Sequence, residues 1–245
     1  MSSQPTNAAA RLYDILSEAR SSPEGSVRDR WKAVLGDKHM NDAELVIGMV
    51  AVHTLFDEVE DGLRGAVPNL NENLYIGPLS KLRQAVYFGN LDTNWSSHLA
   101  KIGDADMRAL AFAADRLSEP PPEPTVDTDS LAEILRAVND LYDEVLRSDT
   151  PRPLRRLLLE QLAEIQRAVH LYRVQGVAPI RAALAKTLGV IYANEDVIKK
   201  DADKGEVKSF GAVLKRVDEV ISLATKAKPL LGPAVEFIRP LLPGG

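Results

Sequence analysis

Six basic side chains lie along one predicted helix, and they are the residues of this chain with the clearest capacity to bind a partner. Three come near the start of that helix, where cations are unfavourable for the helix dipole unless an anionic group is nearby. A carboxylate from a neighbouring helix would satisfy them, as would a phosphate or the acidic surface of a second protein. The simpler alternative is a solvated helix face. The candidate partner-binding residues are Arg152, Arg155, Arg156, Arg167, His170 and Arg173.

The histidines do not form a pattern that predicts a metal site. His53 lies four residues before Asp57, so one turn of helix would bring both side chains to the same face. A metal site normally needs at least three protein ligands, and neither Glu-x-x-His nor His-Glu-x-x-His occurs in the chain. We therefore expect no bound metal, and we interpret His53 as a residue at the edge of a buried helix, hydrogen-bonded to Asp57.

The chain shows no combination of residues that is typical of catalysis. It has no cysteine, which excludes disulfides, iron–sulfur clusters and thiol chemistry. It has no glycine-rich phosphate loop, and the segment from Asp201 to Glu206 lacks the glycine and glutamate positions of a calcium loop. No nucleophile, base and orienting residue occur together. The sequence therefore predicts neither an enzyme nor a cofactor.

The segment LAKTLGV, residues 184–190, resembles the first helix and turn of a helix-turn-helix DNA reader. The helix that would follow lacks the required residues, because Ile191 cannot cap it and two carboxylates would then face phosphate groups. The formal net charge of −5 also argues against a nucleic-acid partner. We interpret the segment as part of one continuing helix with Leu184 and Leu188 directed to the core.

The elements that carry these residues are predicted to be helices throughout. Hydrophobic residues make up 45% of the chain and aromatic residues only 5%, a balance rich in Ala and Leu that favours helices over sheets. Helix-start signals and proline or glycine stops recur along the chain, and no segment shows strand alternation. The predicted helices start at Thr6 or Asn7, Ser26, Asn41, Pro78, Asp104, Ser130, Pro151, Val177 and Glu206. We expect Asp104 to cap its helix, and Ser130 and Glu133 to form a capping box.

Two groups of apolar residues are predicted to form core contacts. The first half of the helix after Asn41 is apolar nearly all round, which is typical of a central buried helix. The turn near Gly176 is short, so the helices on either side should pack as an antiparallel hairpin. The predicted core residues are Val46, Val50, Leu55 and Phe56 in the first group, and Leu184 and Leu188 against Leu158, Leu162 and Ile165 in the second.

The proline-rich stretch EPPPEPTVD, residues 119–127, is the best candidate for a boundary, since consecutive prolines stiffen a chain into an extended spacer. We therefore predict a helical unit over residues 1–118, a linker over residues 119–127 and a second helical unit over residues 128–245. One continuous helical domain is the alternative, because nine residues is an ordinary length for a loop.

Three segments together resemble a loose group of bacterial helical proteins that have no assigned activity. They are LYRVQGVAPIRAALAKTLGVI at residues 171–191, NLDTNWSSHL at residues 90–99 and DADMRALAFAADRLS at residues 104–118. The resemblance extends over residues 10–195. It implies a bacterial cytoplasmic setting and carries no catalytic residues.

Long amphipathic helices without catalytic residues favour a protein that binds other proteins, as a regulatory or adaptor component or a homo-oligomer. No apolar run follows a basic start at the N-terminus, so we expect no signal peptide and a cytoplasmic location. A second interpretation is a membrane-acting effector with peripheral contact through residues 226–245, where two lysines precede a short apolar stretch. A helix-turn-helix nucleic-acid binder is the third.

Overall fold

The computed structural model describes residues 7–35, 40–86, 89–118 and 124–231, and within these ranges the chain forms helices and no strand. The all-α class is therefore confirmed. Most of the proline-rich segment lies outside the described residues, so a proline-rich connection stays a prediction. The helices are α1 (Ala8–Arg20), α2 (Val27–Val34), α3 (Asp42–Ala66), α4 (Glu72–Arg83), α5 (Ser96–Leu99), α6 (Asp104–Arg116), α7 (Thr128–Arg147), α8 (Arg152–Gln175), α9 (Ala178–Ala193), α10 (Glu195–Lys200) and α11 (Gly205–Thr225).

Contacts between residues group the chain into two compact units. The first contains Met1–Glu123 together with Arg173–Gly176, and the second contains Pro124–Tyr172 and Val177–Gly245. The last residues of α8 are thus grouped with the first unit. The predicted domain limits stay a prediction, and the two units are described separately below.

Side-chain caps explain where the first three helices begin, as the sequence predicts. The Asn7 side chain accepts a hydrogen bond from the Ala10 amide at 2.9 Å. Ser26 and Asp29 form a reciprocal capping box at the start of α2. Asn41 and Glu44 form another at the start of α3, with donor–acceptor distances of 3.0 and 2.9 Å. Each cap satisfies amide groups that have no partner within the helix.

The structure corrects the predicted starts of α4 and α6. Helix α4 begins at Glu72, after Asn71 caps it, and Pro78 lies inside the helix rather than at its start. Proline fits most easily in the first turn of a helix, which is why the sequence predicts a start at Pro78, but the Asn71 cap seven residues earlier determines the start. Gly103 precedes α6, and Asp104 is its first helical residue rather than its cap.

The predicted capping box of α7 is also wrong. Helix α7 begins at Thr128, because the carboxylate of Asp127 accepts a hydrogen bond from the Ser130 amide at 2.8 Å. The carboxylate of Glu133 instead accepts a hydrogen bond from the guanidinium group of Arg216 on α11, at 2.6 Å. An aspartate cap places a full negative charge at the helix N-terminus, where the helix dipole favours it.

In the first unit α6 packs between α1 and α4. Arg20 at the end of α1 pairs with Asp104, while Asn7 at the start of α1 donates to the Ala114 carbonyl at 2.9 Å, so α1 and α6 are antiparallel. Lys81 near the end of α4 lies 3.7 Å from Asp106 near the start of α6. Since α4 and α6 contact each other along their lengths, they are antiparallel as well.

The buried face of α3 is narrower than the sequence indicates. Leu55 and Phe56 are fully buried, as predicted, but Val46 is half-buried and Val50 is 46% exposed. The prediction for Val50 is wrong because helices α1, α2, α4 and α6 cover only one side of α3. The core side follows a three- and four-residue spacing through Leu45, Met49, Val52 and Phe56.

The irregular segment before α5, residues 89–95, is anchored to the core by the side chain of Trp95, which is fully buried. Its indole nitrogen donates to the Ala19 carbonyl at 3.0 Å, and its ring meets Trp31 edge to face with centroids 6.0 Å apart. The backbone also pairs, because the Trp95 amide donates to the Gly25 carbonyl at 3.0 Å. The segment therefore packs onto the corner between α1 and α2.

In the second unit α9 packs against α8, as predicted for the two sides of the Gly176 turn. The Thr187 hydroxyl donates to the Gln161 side chain at 3.3 Å in a buried position, and Lys186 donates to Glu164 at 2.9 Å. Leu184 is fully buried in the same apolar cluster as the core leucines of α8, and Leu188 is half-buried against that cluster. Gly176 has φ 66°, which lets the chain reverse.

Helix α11 ends three residues earlier than predicted and is followed by a chain reversal. Lys226 takes the left-handed conformation with φ 51°. After this reversal, the buried carboxylate of Asp218 accepts hydrogen bonds from the backbone amides of Leu230 and Leu231, at 2.8 and 2.9 Å. These bonds compensate the desolvation of a buried charge.

Replacing Leu55 with alanine should lower the free energy of unfolding by about 2–5 kcal/mol, because it leaves a cavity in the core of the first unit. Val50→Ala on the same helix should change the stability by less than about 0.5 kcal/mol, since Val50 faces solvent. Urea unfolding followed by circular dichroism measures both. Equal losses for the two variants would contradict the packing described for α3.

Stability should fall with acidification through His98. Burial lowers the pKa of this imidazole, which stacks on Trp95 and lies 3.3 Å from the Ala85 carbonyl. The unfolded chain then binds the proton more readily, so stability is complete above the unfolded pKa of about 6.5 and is lost as the pH falls towards the folded value. Melting temperatures recorded from about pH 7.5 to about pH 5 should fall more steeply for the wild type than for His98→Gln. Parallel curves would refute this role of His98.

Candidate interaction surfaces

The three basic residues at the start of α8 have different surroundings. Arg156 pairs with Glu160 one turn later at 2.7 Å, and this hydrogen bond raises the pKa of Arg156. Arg155 is half-buried and donates to the Ser148 carbonyl at 2.9 Å. Arg152 is exposed. Two of these three candidate partner-binding residues, Arg155 and Arg156, therefore already have a hydrogen-bond acceptor within the same unit.

The three basic residues nearer the end of α8 also have neighbours within the chain. Arg167 pairs with Glu164 at 3.0 Å, and His170 is half-buried. Arg173 donates to the Val34 carbonyl and to the carboxylate of Glu18, all within the first unit. Arg173 is thus grouped with the first unit, while the other five residues belong to the second. Partner binding by the six residues stays a prediction.

A buried arginine, Arg11, also contacts the last turn of α8, which is grouped with the first unit. Arg11 is 5% exposed, and its Nε donates to the Val174 carbonyl at 2.9 Å while its Nη2 lies 3.4 Å from Glu58. Val174 is fully buried. Arg11 and Arg173 therefore have structural roles around the last turn of α8.

His53 is placed differently from the sequence interpretation. Its Nε2 is hydrogen-bonded to the Val86 carbonyl, whereas Asp57 accepts from Arg83 at 2.6 Å. The expected bond between His53 and Asp57 is thus replaced by one partner for each on the neighbouring segment. Within the described ranges no group of three or more His, Asp and Glu side chains could hold a metal ion.

The segment LAKTLGV lies inside α9, which continues from Ala178 to Ala193 without a turn. One side of α9 faces the core with Ile180, Leu184 and Ile191. The opposite side is exposed, with Arg181 and Lys186 at its two edges and a row of uncharged residues between them. We call this row the α9 face, and it consists of Ala182, Ala185, Gly189 and Tyr192.

Sequence reasoning missed the α9 face, although a signal for it was present. The outer side of α9 carries only Arg181 and Lys186 as charged residues, with small residues between them, and differs in this from an ordinary amphipathic surface helix. Tyr192 is 63% exposed, and a Cβ atom built on Gly189 would meet nothing within 4 Å. No described part of the chain packs closely against Gly189. Gly189 thus leaves an open surface.

The C-terminal membrane contact predicted for residues 226–245 concerns mostly residues outside the described ranges. Lys226 and Lys228 are described and exposed, and they stay candidates for such a contact. In the portion of the chain with assigned positions, no helix combines the length and apolar character needed to cross a bilayer.

Comparison with family models, with curated proteins and with solved structures finds no match to this chain. The function therefore has to be argued from the side chains on the surfaces of the two units.

Arg173→Ala should lower the free energy of unfolding by about 1–3 kcal/mol, because the Val34 carbonyl and the Glu18 carboxylate lose a charged donor. Arg156→Ala removes only an exposed pair within one helix and should leave the stability nearly unchanged, because solvent screens such a pair. Chemical unfolding of both variants tests this difference. An Arg173 variant as stable as the Arg156 variant would return Arg173 to the set of free partner-binding residues.

Proposed function

We propose that this protein works by binding other proteins, and that its α9 face mediates self-association. The observation that carries the proposal is an exposed row of uncharged residues on α9, formed by Ala182, Ala185, Gly189 and Tyr192 and flanked by Arg181 and Lys186. Contiguous apolar surface on a soluble protein commonly marks a binding surface. The face extends over residues 182–192, about 15 Å of helix.

The chemistry of the face suits a second helix. Alanine and glycine side chains allow two helix axes to approach to about 8 Å, the short end of the usual range. Tyr192 at one end supplies a large ring with a hydroxyl group, a residue type that is enriched at protein interfaces. Lys186, which borders the face, is already paired with Glu164 and adds no uncompensated charge.

The partner that we propose for the α9 face is a second copy of the chain. A two-fold contact would place the α9 face of one copy on the same face of the other, which is the commonest arrangement among homo-oligomers. The uncharged row supports such a contact because no like charges would meet at its centre.

Light scattering at tens of micromolar protein should give a mass near that of two chains. Ala185→Glu places a charge in the middle of the α9 face and should return the protein to the mass of one chain. Ala137→Glu is the matched control, because Ala137 is an exposed alanine in the middle of another helix, α7. A wild type that stays monomeric, or a control that dissociates equally, would contradict self-association through α9.

A cross-link provides a direct measure of proximity, because the chain contains no cysteine. Ala185→Cys should form an intermolecular disulfide on mild oxidation if the two faces meet, since a disulfide requires Cα atoms about 4.4–6.8 Å apart. Ala137→Cys should remain largely unlinked under the same conditions.

A further inference from the structure

A second exposed surface lies on α6 in the first unit, and its chemistry differs from that of the α9 face. Phe112 is 62% exposed. Arg108 precedes it by one helical turn and Arg116 follows it by one turn, and both are exposed. Residues four apart on a helix are neighbours, so the three side chains form a row with the ring in the middle. We call it the α6 row.

The two arginines of the α6 row lie close to few other charged groups, although Arg108 helps to lower the pKa of Asp104 through its charge. Neither forms an ion pair or hydrogen bond in the part of the chain that the structure describes. The nearby carboxylates at the start of α6 are already engaged, Asp104 by Arg20 and Asp106 by Lys81. The row therefore presents two guanidinium groups whose charge nothing nearby in the chain neutralises through direct contact.

The neighbouring helix α4 also exposes an apolar side chain. The antiparallel pairing of α4 and α6, with Lys81 beside Asp106, places the start of α4 near the level of Phe112. Leu74 lies there and is 51% exposed. A partner side chain over Phe112 would thus have a second apolar neighbour.

We propose that the α6 row binds an acidic protein segment, with an apolar side chain against Phe112 and one carboxylate at each arginine. The guanidinium groups are about 12 Å apart along the helix, the rise of eight residues. A helical segment with Glu, Leu and Glu at four-residue spacing has the same spacing of charge and apolar side chain. Arginine forks bind carboxylates with two parallel hydrogen bonds, which gives such a contact its direction.

The charges around the row favour discrete carboxylates over a continuous polyanion. Asp115 is exposed beside Arg116, and the chain as a whole carries a formal charge of −5. Nucleic-acid binding depends on neutralising many successive phosphates, and these negative charges oppose it. A protein segment can place its two carboxylates at the arginines and keep neutral residues opposite Asp115.

The test uses an alanine-based helical peptide that bears Glu, Leu and Glu at four-residue spacing, titrated into the full-length isotope-labelled protein. NMR amide shifts should change around residues 105–116 of α6 and at the start of α4. Arg108→Ala with Arg116→Ala should weaken binding at least about fivefold, as should Phe112→Ala. The same peptide with Gln in place of both Glu residues should bind the wild-type protein as weakly as the Glu peptide binds the double arginine variant.

Arg136→Ala with Arg147→Ala is the matched control, because both arginines are exposed and lie on α7. This control should bind the peptide within about twofold of the wild type. The proposal is wrong if the amide shifts appear elsewhere, if the control loses as much affinity as the α6 variant, or if a single-stranded oligonucleotide displaces the peptide from the row. Since the α9 face is not involved, the outcome is independent of self-association.

Discussion

Burial of one indole ring holds together the first unit. Trp95 belongs to a segment with little regular structure, and that segment cannot bury enough surface through a helix of its own. The ring provides the missing apolar area against Trp31, and its N–H group finds an acceptor at the end of α1. A large aromatic side chain with one polar atom suits this position, because the polar atom must be satisfied before the ring can be buried. Backbone hydrogen bonds from Val27 to Thr93 and from Arg28 to Leu91 add to its contacts between the α1–α2 corner and the chain before α6.

Local features of the sequence were sufficient to predict most helices, and long-range contacts explain the exceptions. Asn7, Ser26 and Asn41 cap helices through atoms within three residues of themselves, so their neighbours in the sequence reveal them. Val50 depends on which side of α3 other helices cover, and sequence periodicity does not carry that information where apolar residues occur all round. The start of α4 depends on competition between Asn71 and Pro78, in which a well-placed cap prevails over the usual position of proline.

The candidate surfaces were less predictable than the fold. Clustered arginines attract attention in a sequence, yet whether an arginine is free depends on carboxylates and carbonyls that come from elsewhere in the chain. Glu18 and Val34 are more than a hundred residues from Arg173, and no spacing rule connects them. Alanine and glycine attract less attention because they serve equally well in cores and on surfaces. Only the three-dimensional arrangement shows that Ala185 and Gly189 face outwards while Leu184 faces inwards.

The carboxylate of Asp218 joins two stretches of chain into one cooperative element. It is held on α11, where the Ser222 hydroxyl donates to it at 3.3 Å, and it also accepts hydrogen bonds from the amides of Leu230 and Leu231, beyond the reversal at Lys226. Local opening of a protein proceeds in units whose parts support one another. The last turns of α11 and the returning chain therefore belong to the same unit of opening, since detaching either one removes both amide donors from a buried carboxylate. Amide protons on both sides of the reversal would accordingly exchange with solvent through a shared event rather than by independent fraying of a helix end.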